Sequence, residues 1–346
     1  MPFSSHRLVA VLAVAFAGLA IAAAVGVLVG SGASPPGEVL AALVGRGDAV
    51  LIDIVWQVRV PVVAMAAAVG ALLGISGAGA QGVLRNPLAD PWILGVSGGA
   101  GLAVGFVVAL GADTTFGAVT LPFVAFAGAL GAIGLLRLVA AALPGGGTTA
   151  GGATSLLLAG VVLNAFASAA VLVLHALLAP EASHRLLLWL MGTLQPARLD
   201  PTLVAVTSVT GLVGMVLLLR VSHGLNLLGF GDEAASAFGV DVARTRRLGV
   251  AGIALTVSAA VALSGLVGFV GLVVPHLVRL VVGADQRYVV PLSLVGGGAF
   301  VVLADAVARS LFSVAETAIP VGAVTALVGA PLFVALLIRG ATEAST

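Results

Sequence analysis

The stretch ISGAGAQGVLRNPLADPWILGVSGGAG, residues 75–101, decides how this chain is read. It closes one apolar run, passes through Arg85, Asn86, Pro87, Leu88, Ala89, Asp90 and Pro91, and opens a second run on a glycine cluster. The two prolines remove backbone donors and fix φ, so a helix entering this turn has to stop. The runs on either side are each long enough to cross a bilayer. A polar turn between two such runs serves either as a loop or as a gate.

Working outward, the same alternation recurs along all 346 residues, which are 60% hydrophobic and 8% charged with a mean hydropathy of +1.23. A soluble core does not sustain that composition. The apolar runs are continuous rather than alternating, which favours spanning helices over a barrel. The 47 glycines fit helices that pack backbone to backbone in lipid. The expected fold is therefore an all-α membrane protein. With no cysteine, the chain carries neither disulfides nor a thiolate metal site. All 15 basic residues are arginine. A Walker A loop and a Schiff-base enzyme both need lysine, so if ATP drives this protein a partner hydrolyses it. A net charge of +1 makes no case for nucleic acid.

Ten spans are expected, at 8–30, 61–83, 92–110, 118–140, 153–178, 201–220, 248–263, 266–282, 289–310 and 320–339. The first is read as a membrane helix rather than a cleaved signal peptide, because its apolar part is about twice the usual length of such a region. Started inside, the spans leave Arg7, Arg85, Arg137, Arg220, Arg244, Arg246, Arg247, Arg279, Arg287 and Arg339 cytoplasmic. Arg46, Arg59, Arg185, Arg198 and Arg309 fall outside. That asymmetry places both termini in the cytoplasm. Only Ser264-Gly265 interrupts the apolar run from 248 to 282.

An offset of 188 residues lays Arg59, Ser76, Gly77 and Pro87 on Arg247, Ser264, Gly265 and Pro275. Five spans separate the copies, so they are oppositely oriented, with repeat halves at about 59–178 and 247–338. Inverted repeats place a substrate path at their interface.

Gly160, Asn164 and Ser168 form a small, polar stripe down one face of span 153–178. Helix packing and pore lining both account for it, and Asn164 at mid-membrane favours the pore. The segment 221–247 is the one long polar cytoplasmic loop. Asp232 and Glu233 start a short helix there and Gly239 stops it, with Leu227, Leu228, Phe230 and Phe238 as apolar contacts for a partner. Asp305 and Arg309, four residues apart, can pair on one face. The alternative is that Arg59 and Arg309 meet acidic groups on a soluble partner. No catalytic set is apparent, and no metal site.

Several segments together resemble the permeases of the iron-siderophore, haem and vitamin B12 ABC importers. They are SGAGAQGVLRNPLADPWILGVSGGAG (76–101), LLLAG (156–160), GFVGLVVPHLVRLVVGADQR (268–287), LADAVAR (303–309) and IPVGAVTALVGAPLFVALL (319–337). The resemblance implies a ten-helix, type II importer subunit in the cytoplasmic (inner) membrane. It implies a homodimer, two ABC ATPase subunits on the cytoplasmic side and an extracytoplasmic substrate-binding protein. No cofactor is expected on this chain, and ATP-Mg is expected in the partner.

By position, Asn86 and Leu88 match the turn that closes the cytoplasmic end of the pathway, with Thr154 and Ser155 as companions. Leu228, Gly231, Asp232, Glu233, Ala234, Phe238, Gly239 and Val240 match the ATPase-coupling segment. Arg59 and Arg309 match arginines that dock the binding protein. The sequence departs from the family where Val62 follows Pro61 and where three residues separate Glu316 from Pro320. The expected cargo is a ferric siderophore, with haem or cobalamin as alternatives. The rival class, an ion-coupled secondary transporter, calls for midplane ionisable groups.

Overall fold

A computed structural model describes residues 4–30, 34–116, 120–142, 151–194, 200–315 and 319–343. The chain runs through α1 (Ser5–Leu28), α2 (Pro36–Leu43), α3 (Ala49–Ile54), a π-helical turn (Val55–Arg59) and α4 (Val60–Leu84). A 3-10 turn (Pro91–Leu94) leads into α5 (Val96–Ala109), α6 (Ala112–Phe116), α7 (Thr120–Ala142), α8 (Gly151–Leu177) and α9 (Pro180–Leu190). Then come α10 (Pro201–Leu228), α11 (Asp232–Ala237), α12 (Val242–Ser264), α13 (Val270–Val282), α14 (Gln286–Ala315) and α15 (Val321–Glu343). Among the described residues seven helices are long and apolar enough to span a bilayer, and three shorter apolar helices complete the ten expected spans.

The centre of the molecule is α4, flanked by α14, α12, α13 and α10. Its glycines explain the tightness. A Cβ on Gly70 would lie 2.1 Å from the carbonyl oxygen of Gly297 on α14, and one on Gly77 would lie 2.0 Å from that of Gly271 on α13. Only bare backbone allows these crossings, the packing mode expected where lipid offers no hydrophobic drive. By contrast, α1, α7, α8 and α10 leave most of their apolar surface outside this core.

The break between α12 and α13 is built rather than frayed. Gly265 has φ +69 and Phe269 has φ +66, and the turn is pinned where the Thr193 N–H donates to the Ser264 carbonyl at 2.8 Å. A side chain on Gly265 would strike the Trp189 carbonyl at 2.4 Å. The segment around Trp189 forms a short helix, α9, which buries Leu186 and Trp189. At the 188-residue offset the backbones differ, because Ser76-Gly77 sits inside α4 whereas Ser264-Gly265 ends α12.

The expected loop 221–247 is shorter in the structure. Helix α10 continues to Leu228 because its last two turns still bury Val221, Leu225 and Leu228, and α12 begins at Val242 behind an Asp241 cap on the Arg244 N–H. The true connection is 229–241.

Candidate functional site

At the end of α4, Arg85 adopts the left-handed conformation (φ 50) and caps the helix. Beyond it the Asn86 N–H donates to the Gln81 carbonyl at 3.1 Å, and the Leu88 N–H donates to Asn86 Oδ1 at 2.9 Å. The Ala89 N–H closes onto the Asn86 carbonyl at 3.0 Å. Asn86 thus builds the turn on its own side chain, as Asx turns do, and it leaves Leu88 exposed at the tip. Asp90 accepts from the Trp92 N–H at 2.9 Å and starts the 3-10 turn. Burial pushes its carboxyl up to about 6, against the lowering effect of that backbone bond.

Beside this turn lies a cleft of about 440 Å3 whose walls include Gln81, Arg85, Asn86, Phe230, Arg279 and Gln286. Buried Gln81 donates to the Gly271 carbonyl at 3.2 Å and accepts from Arg279. From the sequence, Arg279 is one of the arginines on the cytoplasmic side. The structure uses it to tie α13 to α4.

The short helix α11 stands next to the cleft. Phe230 and Phe238 are 74% and 72% exposed, whereas Leu228 is fully buried. Two of the expected apolar contacts therefore face outward, and Leu228 belongs to the core. Gly231 (φ +106) and Gly239 (φ +80) bracket the helix in conformations that favour glycine. Ala234 accepts from the Phe238 N–H, Val240 donates back to the Ala235 carbonyl, and Glu233 is exposed. Asp232 has two basic neighbours. Its Oδ1 accepts from Arg246 Nη2 at 2.8 Å and lies 3.5 Å from Arg85 Nη1. The sequence reading missed both pairs.

On α8 the stripe divides. Gly160 is buried, Asn164 is half-buried with Ser97 donating to its Oδ1 at 3.4 Å, and Ser168 is exposed. The upper part packs on α5, where a Cβ on Gly98 would lie 2.7 Å from Asn164 Oδ1. Ser155 is half-buried. The side chain of Thr154, and Glu316, lie outside the described residues.

At the C-terminal end of α1, Arg59 is 5% exposed. It donates to the Val27 and Leu28 carbonyls at 3.2 and 3.3 Å. Arg309 pairs with Asp305 at 2.8 Å and donates to the Val29 and Gly26 carbonyls. Both guanidinium groups thus cap the C-terminal end of α1. Neither projects free from the surface.

The profile of the FecCD transport family matches residues 11–339. The chain belongs to the FecCD transport family. This FecCD chain is 44% identical over 292 residues to a cobalamin import system permease protein of Halobacterium salinarum, covering 82% of this chain and 73% of that protein. It is 38% identical to a hemin transport system permease protein of Yersinia pestis, covering 83% and 85%. It is 36% identical to an Fe(3+) dicitrate transport system permease protein of Escherichia coli, covering 83% of each. A solved structure described as an inward-facing conformation of a metal-chelate type ABC transporter matches with a TM-score of 0.79 at 30% identity, over 96% of this chain and 99% of that one. The FecCD chain is thus a multi-span membrane permease of the ABC importer type.

Proposed function

We propose that this FecCD permease works as a homodimer that carries an iron chelate, a ferric siderophore, inward across the cytoplasmic membrane, with both termini on the cytoplasmic side. Two ABC ATPase subunits hydrolyse ATP-Mg, and an extracytoplasmic binding protein delivers the cargo. The observation that carries the reading is that exposed Phe230, at the entry to α11, shares one cleft with Asn86 and Pro87 of the gate turn, while Phe238 at the far end of α11 is exposed as well. Closure of the ATPases moves the 229–241 segments and rocks the two subunits between outward and inward states. Cargo passes along their interface by the exposed side of α8 near Asn164 and Ser168. Asn86 and Leu88 form the inner gate, with Thr154 and Ser155 as companions. Arg59 and Arg309 belong to the outer face that meets the binding protein. Small side chains along the path suit a bulky hydrated chelate, which a tight charged site would trap.

The cobalamin permease relative, at 44% identity, supports a second reading in which cobalamin is the cargo. The deciding experiment is binding-protein-dependent uptake by the reconstituted complex in liposomes, screened across ferric siderophores, haem and cobalamin. ATP-dependent uptake of a ferric siderophore supports the first reading, and uptake of cobalamin alone replaces it with the second. A chain that transports without ATP or any ATPase partner would overturn both.

A further inference from the structure

We propose that Asp232 is a positioning residue that mechanically links the coupling helix to the inner gate through Arg85. The inference rests on the proposed function, since it concerns how movement of α11 reaches the gate turn. Three elements meet at one carboxylate. Asp232 begins α11, Arg246 belongs to α12, and Arg85 caps the C-terminal end of α4 just before Asn86.

The two contacts differ in kind. Arg246 Nη2 donates to Oδ1 at 2.8 Å, a full charge-assisted hydrogen bond, and its side chain is almost wholly buried. Arg85 Nη1 stands 3.5 Å from the same oxygen and makes no hydrogen bond to it. Meanwhile Oδ2 of Asp232 is buried without a hydrogen-bond partner among the described residues. Such an acceptor is costly to leave unmet. The carboxylate is therefore anchored on α12 and holds an open acceptor close to the guanidinium attached to the gate.

The gate side is built to transmit movement. Arg85 sits at φ 50, a conformation that a non-glycine side chain adopts at some cost. The residues after it are locked together by the bonds of Asn86 to Gln81, Leu88 and Ala89. A shift or rotation of α11 that carries Oδ2 onto Arg85 pulls on this pivot, and the Asn86-Pro87-Leu88 turn moves as a unit. When α11 returns, the pair relaxes to the longer contact seen here. The loose ion pair is the adjustable joint, and the Arg246 bond is the fixed one.

The test uses the complete transporter in liposomes, with binding protein, both ATPase subunits and ATP, and reads cargo moved per ATP hydrolysed. Asp232→Asn is expected to lower that ratio by about tenfold, the scale at which coupling residues act. Arg85→Gln should lower it similarly, and the double variant should be no worse than either single one. Asp232→Glu, which keeps the charge, should recover most of the ratio. A purely structural role lowers transport and hydrolysis together and leaves the ratio unchanged; that result overturns the proposal. So does a fully additive double variant, or an Arg85→Gln variant with a normal ratio. If Asp232→Asn fails to insert, Arg85→Gln and Arg85→Lys decide alone, with Lys restoring part of the ratio. A parent complex that moves no cargo with ATP present contradicts the underlying function, and a parent that transports separates the two failures.

Discussion

Replacing Gly297 by alanine places a methyl carbon 2.1 Å from the Gly70 carbonyl oxygen, 2.9 Å from its carbon and 3.0 Å from the Gly74 Cα. All three atoms are backbone, so no rotamer change relieves the contact. Ordinary carbon contacts lie near 3.5 Å, so α14 and α4 must separate by roughly 1 Å at their crossing. Overpacking of this kind costs about 1–3 kcal/mol, and a rigid backbone clash belongs at the upper end. Alanine returns about 1 kcal/mol through helix propensity. The expected net loss is about 2 kcal/mol. Reversible unfolding in mixed micelles measures it, with Gly134→Ala as control, because a Cβ at that position meets nothing within 4 Å. The double variant Gly70→Ala/Gly297→Ala should cost less than the sum of the singles, since the helices need to part only once. A Gly297→Ala protein within about 0.5 kcal/mol of the parent, or one no less stable than Gly134→Ala, would refute the crossing as described.

Phe230→Ala/Phe238→Ala should leave folding stability within about 0.5 kcal/mol, because both rings are exposed. It should reduce co-purification with the ATPase subunits by about tenfold or more, as expected for exposed aromatic anchors. Asp90 favours its protonated form when folded, since its carboxyl is raised from 3.8 to about 6. Stability should therefore be greatest below about pH 4 and fall as the pH rises through about 6, and Asp90→Asn should remove this slope in an unfolding series run across pH. Arg59→Lys exchanges a guanidinium that bonds two carbonyls and the Ser34 hydroxyl for a single ammonium. Hydrogen exchange at the end of α1 should accelerate in that variant, and unchanged protection would show that the cap contributes nothing.

Much of the architecture was legible in the sequence because membrane helices announce themselves locally: about twenty apolar residues between polar turns suffice. The ends were harder. Helix α10 outruns its apolar run because Val221, Leu225 and Leu228 repeat on one buried face amid polar neighbours. Periodicity could have shown that, whereas mean hydropathy could not. The Asn86-Pro87 turn was readable from its own chemistry, since an asparagine before proline caps its own turn. Long-range partners were not readable. That Gln81 meets Arg279, or Asp232 meets Arg85 and Arg246, depends on which helices touch, and no local pattern encodes that. The stripe on α8 shows the same limit. Spacing put Gly160, Asn164 and Ser168 on one face, but only the packing of α5 divides that face into a contact with Ser97 and an exposed end.

The outer arginines carry the argument one step further. Sequence placed Arg59 and Arg309 outside and gave them two possible uses, pairing within the chain or meeting a soluble partner. In the structure each is engaged with the last carbonyls of α1, where cations also complement the negative end of the helix dipole. A guanidinium offers five N–H donors in a fixed fork, and three of those of Arg59 are committed to bonds within the chain. A partner carboxylate reaching Nη1 of Arg59 would compete with Val27 and Leu28 for its two N–H groups. If a partner carboxylate drew either arginine away from these carbonyls, the C-terminal end of α1 would lose that cap as the partner bound.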